Sequence, residues 1–305
     1  MEKRMFALFQ QEFIQNAFLA GTIVAFVTAI VGYFVVLRTQ AFASDSLSHI
    51  AFAGSTGGPL FGLSSLVGMF ILTILSAVGM GTLGERARGR DVETGMVLAF
   101  ALGLGVLFTS LYASGKNAVA TVSALFGSIV SVNRGDIVTT FVSSLVVLLL
   151  LACVFRPLLF ASIDPEVAVT RGVPVRLLSI LFLILVAITV AMAVQVVGAL
   201  LVFALLIAPA ASAARLTHRP LASIALSILF GLAITWIGLL LTVIGLDGKY
   251  LPASFYIATL STFTYFAAVI ASRWYTPCHV RVIASTHEQL VEGAHRPVFD
   301  KKDGL

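Results

Sequence analysis

Long apolar segments without a formal charge dominate this sequence, and they recur from residue 13 to residue 272. A helix that crosses the hydrocarbon core of a bilayer needs about 20 consecutive apolar residues. Of the 305 residues, 59% are apolar and 11% are charged, whereas a soluble globular domain carries about 25% charged residues. The sequence therefore predicts an all-α, polytopic membrane protein.

Polar interruptions divide these segments into candidate spans, and we expect a bundle of about eight or nine transmembrane helices. The stretch from Leu177 to Ala214 holds 38 residues without a charge, nearly twice the length of one crossing. We divide it near Gln195 to Gly198 and expect Pro209 to kink its second half. The predicted spans are about 13–37, 44–54, 60–80, 92–113, 136–155, 177–197, 199–214, 221–243 and 254–272.

The basic residues lie in the short loops and at the ends of the chain, and Lys and Arg favour the cytoplasmic side of a membrane. Most of the 19 basic residues become cytoplasmic if the N-terminus lies outside. We therefore predict an extracytoplasmic N-terminal tail (1–12), a transmembrane domain (13–272) and a cytoplasmic C-terminal tail (273–305). This distribution accounts for the net charge of +5, so we expect no binding of nucleic acid.

Two ionisable residues lie at the start of the second predicted span, in the sequence SDSLSH at 44–49. We expect Ser44 to cap the helix and Asp45 to lie in its first turn. Asp45 and His49 are four residues apart, so in a helix both side chains share one face and can reach one ion. A carboxylate with an imidazole suits a divalent cation such as zinc or manganese.

This second span is shorter than a membrane crossing. From Ser44 to Gly54 the helix is about 16 Å long, against about 30 Å of hydrocarbon, and the sequence GSTGGP at 54–59 interrupts it. A short, interrupted span with polar residues is typical of a transport site. The alternative is that Asp45 caps the helix and His49 bonds to it or to a backbone carbonyl.

A complete set of helix start and stop signals follows the fifth predicted span. Asp164 suits the N-cap, Pro165 the first helical position and Glu166 the first turn. Arg171 suits the last turn, and Gly172 the position after it. The sequence predicts a short cytoplasmic helix, which is either a rigid lever for motion delivered by another protein or an interfacial helix with no partner.

Several chemistries have no signal in the sequence. None of the five lysines stands in the Gly-x-x-x-x-Gly-Lys-Ser/Thr pattern that binds nucleotide phosphates, so ATP could drive transport only through another subunit. No set of Ser, His and acidic residues indicates a hydrolase. We expect a transport subunit with no catalytic residues and no bound cofactor, rather than an enzyme.

Three segments resemble the zinc/manganese ABC transporter permeases, the membrane subunits of bacterial uptake systems. VLR at 36–38 with AFASDSLSH at 41–49 resembles their Asp-x-Leu-Ser-His motif, although the family commonly has Gly at the place of Ser44. DPE at 164–166 with Arg171 and Gly172 resembles their ATPase-facing loop. Residues 197–211 resemble a late helix of the family, and the similarity extends over about residues 12 to 272.

The resemblance implies a permease of the type II ABC importer class in the bacterial plasma (inner) membrane. It implies a second copy of the chain, two cytoplasmic ABC ATPase subunits that hydrolyse ATP, and an extracytoplasmic protein that delivers the metal. Asp45 and His49 would then contribute to the path of zinc, manganese or iron. The open alternatives are a permease for a metal chelate or other small organic solute, and an ion-coupled secondary transporter.

Overall fold

The computed structural model describes residues 12–83, 90–113, 133–217, 219–244 and 253–275. These residues form α-helices and one 3-10 helix, Gly58–Phe61, and no strand occurs among them. The helices are α1 Glu12–Leu37, α2 Ala41–Gly57, α3 Ser65–Leu83, α4 Arg90–Ala113, α5 Arg134–Ile163, α6 Pro165–Thr170, α7 Val175–Val197, α8 Ala199–Leu216, α9 Pro220–Ile244 and α10 Ala253–Tyr275. The predicted all-α class is confirmed, whereas nearly all of both predicted tails lies outside the described residues.

Within the described ranges, eight helices are long and apolar enough to cross a membrane, namely α1, α3, α4, α5 and α7 to α10. The remaining long helix, α2, has 17 residues and is about 25 Å long. It contains the predicted short span at 44–54. The expected number of about eight or nine spans agrees with these helices, and the chain is a multi-pass membrane protein.

Gly198 separates α7 from α8, as the division of the long uncharged stretch predicted. Its φ of +92° is a conformation that a residue with a side chain rarely adopts. The α7 helix therefore ends at Val197, and α8 begins at Ala199. Pro209 lies inside α8 on its buried side.

The interior of the bundle is built around α1, α2, α7 and α8. In α1, the fully buried Phe34 packs edge-on against Phe155 of α5 and Phe182 of α7, with ring centroids 5.5 and 6.2 Å apart. The α2 helix packs against α3, α4, α7 and α8. Large apolar side chains such as Leu75 and Phe100 are exposed on the outer helices, and lipid chains would cover such a surface in a bilayer.

Glycines allow α2 and α3 to cross at very short range. A Cβ atom built on Gly54 would lie 2.6 Å from the carbonyl oxygen of Gly68 and 2.9 Å from the Cα of Met69. Small residues permit this approach in lipid, where apolar surface alone does not drive helices together. The crossing holds α2 against α3 and therefore helps to position the ionisable residues near the start of α2.

Candidate metal site and coupling helix

The α2 helix begins earlier and ends later than the sequence predicted. Ser44 is not its N-cap: the helix starts at Ala41, and the Ser44 hydroxyl donates to the Ala41 carbonyl at 2.7 Å. The N-cap is Gln40, whose side chain makes no capping bond. The reason is the tight connection to α1, in which the Gln40 N–H already bonds to the Val35 carbonyl at 2.9 Å.

The predicted break at residue 54 is also displaced. Gly54 lies inside α2, which continues to Gly57 before the 3-10 turn. The Ser55 and Thr56 hydroxyls donate to carbonyls three or four residues earlier, so the polar run GST continues the helix. Tertiary contact with α3 explains why a glycine is tolerated there.

Asp45 and His49 share one face of α2, as their spacing predicted. The Nε2 atom of His49 lies 4.0 Å from Oδ1 of Asp45, which is too long for a hydrogen bond. The Asp45 side chain is 30% exposed, and the His49 side chain is 23% exposed. Among the described residues neither side chain has a hydrogen-bond partner.

The distance suits a shared metal ion. Two ligand atoms each about 2.1 Å from a tetrahedral ion lie about 3.4 Å apart. A closing movement of about 0.6 Å would therefore bring the Asp45 and His49 atoms, now 4.0 Å apart, to this separation. The described residues contain no group of three or more His, Cys, Asp or Glu placed to hold a metal, so these two side chains provide only part of a coordination sphere.

The serines of this segment have a structural role. Ser44, Ser46 and Ser48 are buried, and each hydroxyl donates to a carbonyl one turn earlier in α2. Their hydrogen bonds satisfy the hydroxyls inside the bundle without a partner on another helix. After Ala41, every residue of α2 except Phe42, Asp45 and His49 is buried.

The short α6 helix has the ends that the sequence predicted, with one shift. The Val167 N–H donates to Oδ1 of Asp164 at 3.0 Å, and Pro165 is the first helical residue. Gly172 follows with φ of +76°, while Arg171 occupies the C-cap instead of the last turn. Glu166 lies in the first turn, as predicted.

One side of α6 is anchored and the other is open. Ala168 is fully buried, and α6 packs against α5 and α7. Val167 and Val169 are exposed beside the exposed Glu166 and Thr170, so the helix presents both apolar and polar side chains outward. This arrangement suits a docking element, although the coupling role of the segment near 164–173 remains a prediction.

Comparisons with known proteins agree with this architecture. Residues 10–272 match the model of the ABC 3 transport family. The chain is 32% identical over 240 residues to the manganese transport system membrane protein MntC of Halalkalibacterium halodurans, covering 78% of this chain and 81% of that protein. It is 30% identical over 210 residues to the high-affinity zinc uptake system membrane protein ZnuB of Haemophilus influenzae, covering 68% and 80%.

A solved structure shares the fold. PsaBC from Streptococcus pneumoniae in complex with Fab contains a chain with a TM-score of 0.77 and 26% sequence identity. The match covers 88% of this chain and 94% of that chain. Together with the family match, it confirms the predicted permease-like bundle of membrane helices.

Proposed function

We propose that this chain, which belongs to the ABC 3 transport family, is the membrane permease subunit of an ATP-driven importer of divalent metal ions. Relatives that match most of the chain are named as manganese and zinc transport proteins. The observation that carries the proposal for this chain is the partly exposed pair of Asp45 and His49, one helical turn apart on α2. The chain itself is a transport subunit and not an enzyme.

Asp45 and His49 bind the transported ion in this proposal. A carboxylate and an imidazole are ligands that zinc and manganese accept. Two ligands from one chain leave a tetrahedral site half complete. Because the side chains of Asp45 and His49 are partly exposed in the single chain, a second copy related by a twofold axis can add its own pair and complete four ligands.

The α6 helix is the contact for the ATPase subunits. Its exposed apolar residues, Val167 and Val169, can dock into a partner, while the buried Ala168 fixes the helix to the bundle. Caps at both ends keep α6 intact when it is pushed. Asp164, Pro165, Glu166, Arg171 and Gly172 therefore form the proposed coupling segment, and one ATPase subunit binds each copy of the permease.

The proposed topology follows from the basic residues. The N-terminal tail (1–12) faces outward, residues 13–272 form the permease domain, and the tail from 273 to 305 lies in the cytoplasm of a bacterium. The α6 helix is then on the cytoplasmic side, within reach of the ATPases. A metal-binding protein docks on the opposite side of the plasma membrane and delivers the ion.

Transport proceeds by alternating access. A delivered cation loses part of its hydration shell when it meets Asp45 and His49 of the two copies. ATP-driven closure of the ATPases displaces α6, and the membrane helices reopen the path toward the cytoplasm. The energy of ATP reaches the ion through movement of helices, because this chain has no phosphate-binding loop of the Gly-x-x-x-x-Gly-Lys-Ser/Thr type.

Metal uptake by the reconstituted complex tests this proposal. Asp45→Ala and His49→Ala should abolish ATP-dependent uptake while assembly and basal ATPase activity persist, and Ser46→Ala on the same helix should transport normally. Full uptake by both site variants would contradict the site assignment. Uptake by the purified chain alone under an ion gradient would favour a secondary transporter, and uptake of a chelate without the free ion would favour the organic-solute permease.

A further inference from the structure

The turn between α1 and α2 places one cation against α7. Arg38 directly follows α1, and its Nη2 atom donates to the hydroxyl of Ser179 at 2.6 Å. The guanidinium carbon lies 5.5 Å from the ring centroid of Phe182, within range of a cation–π interaction. Ser179 and Phe182 are three residues apart in the first turns of α7, so Arg38 holds one face of that helix end.

The backbone of this turn is constrained. Thr39 has φ of +53°, which is unusual for a β-branched residue. The Arg38 N–H bonds to the Phe34 carbonyl at 2.9 Å, and the Gln40 N–H to the Val35 carbonyl at 2.9 Å. Because Arg38 and Gln40, on either side of Thr39, are both hydrogen-bonded to α1, this turn is rigid. A displacement of the Arg38 side chain should therefore move α2.

The contact between Arg38 and the start of α7 also lies close to α6. Only four residues separate α6 from α7. This link is folded back on α6, because the Val173 N–H donates to the Ala168 carbonyl at 3.0 Å. The Leu178 N–H bonds to the Pro174 carbonyl at 3.1 Å, which joins the link to the first turn of α7.

We infer that Arg38 is a positioning residue that transmits movement of α6, through Ser179 and Phe182, to the helix that carries Asp45 and His49. This inference rests on the proposed function. The α2 and α7 helices also pack directly, but apolar contacts can slide, whereas a charge-assisted hydrogen bond is directional. Phe182 in turn contacts the buried Phe34, so the guanidinium is seated on a rigid part of the core.

Conservative substitutions can separate this role from metal binding. Ser179→Ala removes the hydrogen bond, Phe182→Leu removes the ring, and Arg38→Lys keeps the charge but loses the planar fork. The matched control is Trp236→Phe, which removes another bond between helices, from Trp236 Nε1 to Thr22 Oγ1 at 3.0 Å. That bond joins α9 to α1 and does not involve α2, α6 or α7.

The experiment measures manganese or zinc uptake per ATP hydrolysed in liposomes with the complete importer, alongside metal affinity of the same complex. We expect Ser179→Ala and Phe182→Leu to lower the uptake per ATP hydrolysed at least threefold, with metal affinity within twofold of wild type. Arg38→Lys should give an intermediate value of this ratio. The Trp236→Phe control should be unchanged.

Three results would overturn the inference: an unchanged ratio in both α7 variants, an equal loss in the Trp236 control, or a loss of affinity that accounts for the loss of uptake. Failure of the proposed function gives a different result, because the wild-type complex itself would then transport no metal.

Discussion

Gly54→Ala should damage both stability and transport, because α2 and α3 touch at this residue. The added Cβ would lie 2.6 Å from the Gly68 oxygen and 2.9 Å from the Gly68 carbonyl carbon. An ordinary contact begins at about 3.4 Å, so the two backbones must separate by about 0.8 Å. The obstructing atoms are backbone, and no side-chain rotation can remove the conflict.

The change in stability caused by Gly54→Ala is the difference between a gain in helix propensity and a cost of overpacking. Alanine stabilises a helix interior by up to about 1 kcal/mol relative to glycine. Overpacking in a well-packed interior costs about 1–3 kcal/mol, so after this gain is subtracted Gly54→Ala should be destabilising by up to about 2 kcal/mol. A binding site also needs its ligands held within about 0.5 Å, which is less than the displacement expected for α2. Metal uptake should therefore fall more than the change in stability alone explains.

The same substitution elsewhere in these helices provides the control. A Cβ on Gly79 of α3 or Gly103 of α4 meets nothing within 4 Å, so alanine there should leave the melting temperature in detergent unchanged or slightly higher. Thermal unfolding and metal uptake are measured for all three variants. A Gly54→Ala variant that unfolds at or above the temperature of the two controls and transports normally would refute the steric conflict between α2 and α3.

The other predictions concern α6, the metal site and the turn between α1 and α2. Gly172→Ala forces a side chain into φ of +76° at a cost of about 1–2 kcal/mol; it should uncouple ATPase stimulation from uptake, and normal coupling would count against the lever. His49→Gln should weaken metal binding, because the amide side chain supplies no imidazole nitrogen to the ion; titration calorimetry at constant pH should show the lower affinity, and an unchanged affinity would contradict the site assignment. Thr39→Asn should raise the melting temperature, since Asn tolerates a positive φ better than a β-branched residue; a lower value would show that the turn is not strained.

Local signals predicted α6 well because they act within one short segment. Asp164 needs only the N–H of Val167, three residues away, and Gly172 needs only its own backbone freedom. The one deviation, Arg171 at the C-cap, is a shift of one residue, within the usual variation of helix ends. Similarly, Gly198 ends α7 through its own conformation.

The predicted bounds of α2 were wrong because the ends of this helix depend on residues distant in the sequence. Ser44 has a strong preference for helix starts, yet the tight turn after α1 starts the helix three residues earlier. Gly54 is a helix breaker by preference, but Gly68 lies against it and makes its missing side chain useful. The sequence indicates Arg38 only as a basic loop residue and as part of the VLR segment of the family motif, since nothing nearby along the chain points to Ser179, which is 141 residues away.

Spacing along one helix explains why only half of a metal site could be predicted. The i, i+4 relation brings Asp45 and His49 together whatever the rest of the fold does, and the structure places their ligand atoms 4.0 Å apart. No third acidic, Cys or His ligand joins them from the described part of this chain. If a twofold axis supplies the missing ligands, the site exists only in the dimer, and metal affinity must then depend on chain concentration. Dilution of the detergent-solubilised permease should release metal in parallel with dissociation into monomers, whereas a monomer that retains full affinity would require water or backbone oxygens as the remaining ligands.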